Sequence, residues 1–330
     1  MSRQGRMRWT GAVNERPTIS DLGPNPGKKA RLFRILFQHG LCNGTALFLP
    51  YDQGLEHGPQ DFFGNPAAVD PSYVTKLAVE AGFNGIVLNI GLAEKFYWDF
   101  AGEIPLILTL NGKTEIPSDS EPLSPLTATV ADAVRLGADA VGYTLQVGSP
   151  AQAADFAQYR QVREEATRFG MPLIAWACPR GSAFEASGGG ADSFYAVDYA
   201  ARVASELGAD MVKVKFPHPE KRAGVPAGYD DDFSPQQAME AVVRSANRTL
   251  VLVSGGSMAG DEAMLEKARQ ALEAGATGLT FGRNIWQREH DESLRLISKL
   301  QEILVKHPTC SIASWERRHG SFGENMIFPS

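Results

Sequence analysis

Two lysines one residue apart, Lys213-Val-Lys215, close an apolar run that starts at Met211. On an extended strand, residues i and i+2 share a face. If that face lines the interior of a barrel, two amines sit together in low dielectric. Desolvation and like charge both lower a lysine pKa. A neutral amine is the form that attacks a ketone, and an adjacent cation is one way to obtain it. The pair therefore points to Schiff-base chemistry. The plainer alternative has one lysine paired with a carboxylate such as Asp52 and the other reaching solvent.

A second group, Ser254-Gly255-Gly256-Ser257 and Gly282-Arg283, pairs close-approach glycines with a fixed cation. Backbone N–H groups in glycine loops at helix starts hold phosphate, and arginine adds a bidentate contact. The alternative is that these glycines only make tight turns. Asp52 and Glu56-His57 form either an acid/base set or a set of metal ligands. Of the six histidines only His57 and His218 fall near strand ends. A catalytic zinc needs several such ligands, so no metal is expected, and His57 reads equally as a structural hydrogen-bonder. Asn89, Asn111, Lys113, Tyr143, Gln146, Trp176, Cys178 and Arg180 are the other polar or reactive residues at the ends of apolar runs.

These residues are spaced along an alternation of strands and helices. Eight short Val/Ile/Leu-rich runs occur at 46–52, 85–89, 105–111, 140–145, 172–177, 211–215, 250–255 and 278–284. Each reads as a buried parallel strand. Amphipathic helices are expected at 73–81, 125–136, 151–169, 193–207, 235–247 and 261–274. Only 93–100 reads as irregular. A helix repeatedly ends in a glycine followed at once by a strand: Ala81-Gly82, Leu136-Gly137-Ala-Asp139, Leu207-Gly208-Ala-Asp210 and Ala274-Gly275-Ala276. Glycine in the left-handed conformation ends helices. This repetition predicts an α/β fold, a (β/α)8 TIM barrel over 46–305, with active-site residues at the C-terminal strand ends. A doubly wound open sheet is the alternative. Residues 1–45 form an N-terminal arm with a helix at 28–38, expected to cap the barrel bottom or pack on a neighbouring subunit. Residues 306–330 form a C-terminal tail.

Composition narrows the function classes. Of 330 residues, 43% are hydrophobic and 21% charged, as in a globular protein. The longest apolar run, 173–178, is far short of the ~20 residues a membrane helix needs. No apolar core follows the basic N-terminus, so no secretory signal is read there. Three cysteines are too few for a disulfide framework, and a cytoplasmic location is expected. With 32 basic against 38 acidic residues nothing favours nucleic acid.

Several segments together resemble the archaeal-type class I fructose-1,6-bisphosphate aldolases, a group that also occurs in bacteria. They are Leu49-Pro-Tyr-Asp52-Gln-Gly-Leu-Glu56-His57-Gly58, Trp176-Ala-Cys178-Pro-Arg180-Gly, Lys213-Val-Lys215, Ser254-Gly-Gly256 and Gly282-Arg283-Asn-Ile-Trp286. The likeness runs from about residue 30 to 300, in family order. It implies a metal-free, cofactor-free TIM-barrel aldolase that is homo-oligomeric, often decameric, and acts on phosphorylated ketoses and trioses. Lys213 would form the Schiff base with Lys215 beside it. Asp52 would position substrate and shuttle protons, and Trp176 would line the site. His57, Arg180, Ser254, Gly255, Gly256, Gly282 and Arg283 would lie near the substrate phosphates. In one departure, the family has its proton-transferring tyrosine where this chain has Cys178. A thiol is shorter and ordinarily more acidic than a phenol. Either the thiol transfers the proton, or it leaves room for water, or another residue such as Tyr143 substitutes.

The first reading is reversible cleavage of fructose 1,6-bisphosphate to dihydroxyacetone phosphate and glyceraldehyde 3-phosphate. Motivated by Cys178, a second keeps the lysine but changes the reaction, to a transaldolase-like synthase or a thiolase on another phosphorylated ketose. A third is a phosphosugar-binding protein on a decayed aldolase scaffold, against which the retained lysine pair argues.

Overall fold

The computed structural model describes residues 16–23, 25–116, 122–181, 184, 190–219, 225–255 and 260–309. Eight parallel strands close a barrel in sequence order: β1 (Ala46–Pro50), β2 (Gly85–Asn89), β3 (Leu106–Thr109), β4 (Ala140–Val147), β5 (Leu173–Pro179), β6 (Met211–Val214), β7 (Leu250–Ser254) and β8 (Gly278–Thr280). The helices outside it are α1 (Pro26–Phe37), α2 (Gly54–His57), α3 (Pro71–Glu80), α4 (Ile90–Phe96), α5 (Val130–Arg135), α6 (Gln152–Arg168), α7 (Phe194–Glu206), α8 (Pro235–Ser245), α9 (Asp261–Glu273), α10 (Arg283–Trp286) and α11 (His290–Val305).

The repeated glycine signature does what its chemistry predicts. Gly82, Gly137, Gly208 and Gly275 all have positive φ, between 65° and 98°. Two residues later the chain enters the ladder. The N–H groups of Asn84, Asp139, Asp210 and Thr277 donate to Leu47, Leu106, Leu173 and Val251 of the preceding strands.

Helix α1 plugs the bottom of the barrel. Asn25 caps it and Pro26 starts it. Its Leu32, Ile35 and Leu36 are buried in one cluster with interior-facing Phe48, Val87, Ile107, Ile174, Met211 and Leu252. Two of the signature aspartates pin it, Asp210 to Lys28 at 2.7 Å and Asp139 to Arg34. Asp210 also accepts from Leu173 N–H at 2.8 Å. Removing one partner of a buried pair costs ~3–5 kcal/mol. Asp210→Ala is therefore expected to lower Tm by about 6–12 °C, and Asp210→Asn by less. A thermal melt of Asp210→Ala within a degree of wild type would refute the pinned plug.

Four elements differ from expectation. The segment read as irregular, 93–100, is helical: α4 and then a 3-10 turn over Tyr97–Phe100. Consecutive aromatic residues hid the period, because Tyr97 and Phe100 are buried while Trp98 is exposed. The helix expected at 125–136 is only α5, since Thr127 and Ala128 donate to Leu110 at the end of β3. Thr129 and Asp132 form the capping box that starts it. The last strand stops at Thr280, and Gly282 turns the chain into α10. Helix α11 adds buried Leu296, Leu300 and Leu304, an i, i+4 pattern the sequence also carries. Among the described residues no helix is long and apolar enough to cross a membrane. The expected tail lies outside the described residues from 310 onward.

Candidate active site

Strand parity sorts the polar residues at the barrel mouth. On β6, Met211 joins the interior cluster while Val212 and Val214 pack outward. Lys213 therefore projects inward, one residue above the apolar floor. Its Nζ sits 5.2 Å from the Trp176 ring centroid, within reach of a cation–π contact. Trp176 is its register partner on β5. The indole fits because β4 carries a glycine opposite, where a Cβ at Gly142 would stand 2.6 Å from Trp176 Cζ2.

Asp52 follows β1 and lies near enough to feel the Lys213 charge. Burial raises the Asp52 carboxyl above its ordinary range, and Lys213 partly opposes this. Thr109 donates to Asp52 Oδ2 at 3.0 Å, and Asn89 Nδ2 to its carbonyl at 2.9 Å. Cys178 stands two residues beyond Trp176, and burial raises its thiol despite Lys213 and Arg180 nearby.

Lys215 does not share this pocket in the way the sequence pattern suggests. It is half-exposed and its ammonium pairs with Asp192. Lys215 is thus ion-paired with Asp192, while Lys213 lies near Asp52 without an ion pair to it among the described residues. The plainer alternative is met only in that one of the two lysines is paired with a carboxylate.

The mouth divides into two lobes that meet at Lys213. One, a cavity of about 400 Å³, is lined by Lys213, Lys215, Ser254, Gly255, Gly282 and Arg283 among others. The other, about 100 Å³, runs along β2–β5 past Asn89, Thr109, Lys113, Gln146, Trp176 and Cys178. Arg180, Cys178 and Glu56 border both.

In the larger lobe Ser254 ends β7, and Gly255 donates its N–H to Thr280 at 3.2 Å. Gly282 has a packing reason of its own, since a Cβ there would lie 2.5 Å from the Pro50 carbonyl oxygen. Gly256 lies outside the described residues. Arg283 reaches His57 Nδ1 at 3.2 Å, and Asp61 holds the same nitrogen at 2.7 Å. His57 thus sits on the Arg283 side, in the larger lobe. Arg180 lies 3.9 Å from Glu56. Ligand atoms of Glu56, His57 and Glu115 lie within 4.8 Å of one another, a grouping able to hold a cation.

Tyr143 cannot stand in for the missing phenol. It is on the outward face of β4, with its hydroxyl on Asp155 behind the barrel. Parity with Gln146, which lines the smaller lobe, was the available signal. The sequence reading passed over Asp61, Thr109 and Asp192. Asp61 lies in a short 3-10 turn over Gly58–Phe62 and Asp192 in a loop, where no periodicity marks them; Thr109 shares the interior face of β3 with Asn111, so parity would have found it.

The sequence and the fold resemble those of known proteins. A model of the DeoC/LacD family of aldolases matches residues 46–288. The class 1 fructose-bisphosphate aldolase of Thermoproteus tenax is 39% identical over 262 residues, 79% of this chain and 90% of that protein. That of Halobacterium salinarum is 38% identical over 248 residues, covering 75% and 86%. The solved structure of an archaeal fructose-1,6-bisphosphate aldolase, with its catalytic lysine covalently bound to the carbinolamine intermediate of the substrate, superposes with a TM-score of 0.71 at 36% identity, covering 83% of this chain and 99% of that one. With a family match across the whole barrel and relatives this similar over most of their length, the chain belongs to the DeoC/LacD family of aldolases.

Proposed function

We propose that this chain is a class I fructose-1,6-bisphosphate aldolase that works through a Schiff base on Lys213. The observation that carries the reading is the position of Lys213, inside the barrel against Trp176 and at the junction of two lobes. A bisphosphate bonded at C2 has one lobe for each half. Ser254, Gly255 and Arg283 suit the phosphate on C1, and Arg180 borders the path of the other half. The solved relative caught as a carbinolamine supports the same chemistry.

The steps follow from the groups present. Asp52, whose proton affinity burial raises, takes the Lys213 proton. The neutral amine adds to C2; Asp52 then returns its proton to the carbinolamine hydroxyl, which leaves as water, giving an iminium on Lys213 and an Asp52 carboxylate. The C3–C4 bond breaks with its electrons moving into the iminium, and the C4 hydroxyl proton passes to the Asp52 carboxylate. Glyceraldehyde 3-phosphate leaves. Asp52 gives that proton to C3 of the enamine, and hydrolysis of the new iminium releases dihydroxyacetone phosphate and restores Lys213 and the Asp52 carboxylate. Cys178, held as a thiol by burial, is a poor base near neutral pH.

Borohydride reduction in the presence of dihydroxyacetone phosphate and EDTA, followed by peptide mass spectrometry, tests this. A stable adduct on Lys213 is expected, and EDTA removes any cation from Glu56, His57 and Glu115. No adduct with either dihydroxyacetone phosphate or the bisphosphate would leave the lysines structural and favour a phosphosugar-binding protein. The thiol at Cys178 favours one second reading: the same Schiff base used for transaldolase-like or thiolase chemistry on another phosphorylated ketose. A substrate panel separates the two, since turnover of another keto-phosphate without cleavage of the bisphosphate would select the second.

We also propose a cytoplasmic homo-oligomer. Cys42 and Cys178 are free thiols, and Trp98 and Phe63 are exposed large apolar side chains of the kind a second copy covers. Sedimentation giving a monomer would remove the oligomer.

A further inference from the structure

The smaller lobe contains a polar group that none of these steps uses. Gln146 faces inward from β4 and is 3% exposed. Its backbone N–H donates to Asp155 Oδ2 at 2.7 Å, which fixes its place. One end of its side-chain amide meets Ser124 Oγ at 3.1 Å. The other end, Oε1, is buried and has no hydrogen-bond partner among the described residues. A buried amide atom left unpaired is costly, and in the wall of a substrate lobe the partner is naturally the ligand.

The partner that fits is a hydroxyl. It donates to an amide oxygen and accepts from an amide N–H, so it suits the free end whichever way the amide is turned. Strand order says which hydroxyl. Gln146 pairs with Cys178 across β4–β5, and Trp176 pairs with Lys213 across β5–β6. Gln146 is therefore two strands from the nucleophile, at about 4.8 Å per strand. A ketose bonded to Lys213 at C2, with its C1 phosphate toward β7 and β8, passes C4 along β5 and C5 along β4.

We infer that Gln146 binds the C5 hydroxyl, which is the α-hydroxyl of the aldehyde half, and so selects α-hydroxy aldehyde phosphates over their deoxy analogues. This rests on the aldol reading above. A site that hydrogen-bonds a substrate hydroxyl rejects the analogue lacking it, because its own buried group is then left unpaired.

The experiment is condensation of dihydroxyacetone phosphate with D-glyceraldehyde 3-phosphate and with 3-oxopropyl phosphate, which lacks only the α-hydroxyl. For wild type, kcat/KM should favour the hydroxylated aldehyde by about 10–100-fold. In Gln146→Met, similar in volume, that preference should fall to about threefold or less. A residue with a merely structural role would lower both rates together, and that result overturns the inference, as does absence of preference in wild type. Should Gln146→Met fail to fold, Gln146→Glu keeps both volume and acceptor. It is expected to retain at least about tenfold preference, and its loss also overturns the inference. If wild type condenses neither aldehyde, the aldol reading falls first and this one with it.

Discussion

Lys213→Met is expected to lose cleavage of fructose 1,6-bisphosphate by a factor on the order of 10⁴–10⁶, the scale on which removal of a covalent nucleophile acts. Borohydride trapping should vanish with it. The fold should survive, because the methionine stem occupies the volume of the lysine stem and its sulfur can rest on the Trp176 ring as the ammonium does. Methionine also relieves Asp52 of its neighbouring cation, which leaves that carboxyl more readily protonated, and so uncharged, in its buried place. The variant should therefore melt near wild type and still bind the bisphosphate through Arg283, Ser254 and Gly255. Retained cleavage, or retained trapping at another lysine such as Lys215, would refute the assignment. Lys215 is the sharp control: it is ion-paired with Asp192 at the mouth and half-exposed, so Lys215→Met should keep the trapped adduct on Lys213.

Much of this arrangement is legible in the amino-acid sequence, for physical reasons. A buried parallel strand must be apolar on both faces, so the runs around Ile86, Ile107, Ile174 and Val251 declare themselves, and the glycines at 82, 137, 208 and 275 mark four of the returns. Lys213 stands out for the converse reason: a cation in such a run needs either a carboxylate partner or a chemical role. What was not legible lies in loops and in the choice of partner. The pairing of Lys215 with Asp192 depends on a loop whose path no periodicity predicts. The link from Asp61 through His57 to Arg283 joins residues from opposite ends of the chain that meet only because β8 closes on β1. Strand parity reaches further still, for it sets Tyr143 and Gln146 on opposite faces of β4, the one behind the barrel and the other inside.

Asp52→Asn tests the proton path, and pH gives the sign. Burial raises the Asp52 carboxyl above its ordinary 3.8 and Lys213 opposes the rise. The carboxylate is the form that accepts the C4 hydroxyl proton, so kcat for cleavage should climb as pH rises through that raised value. In the condensation direction the protonated acid is required, and the same group should make the rate fall as pH rises. Since kcat reports the enzyme–substrate complex, the limb belongs to the Schiff-base form, in which Lys213 no longer carries an ammonium. An amide can still accept from Thr109 but cannot take a proton. Asp52→Asn should thus lower kcat by about 10²–10⁴-fold and lose the acid limb, while trapping on Lys213 persists more slowly. Cys178→Ala should cost less than about tenfold, because a thiol that burial keeps protonated contributes little as a base. If instead Cys178→Ala abolishes the limb and Asp52→Asn keeps it, the thiol carries the proton and Asp52 serves only to hold Lys213 in place.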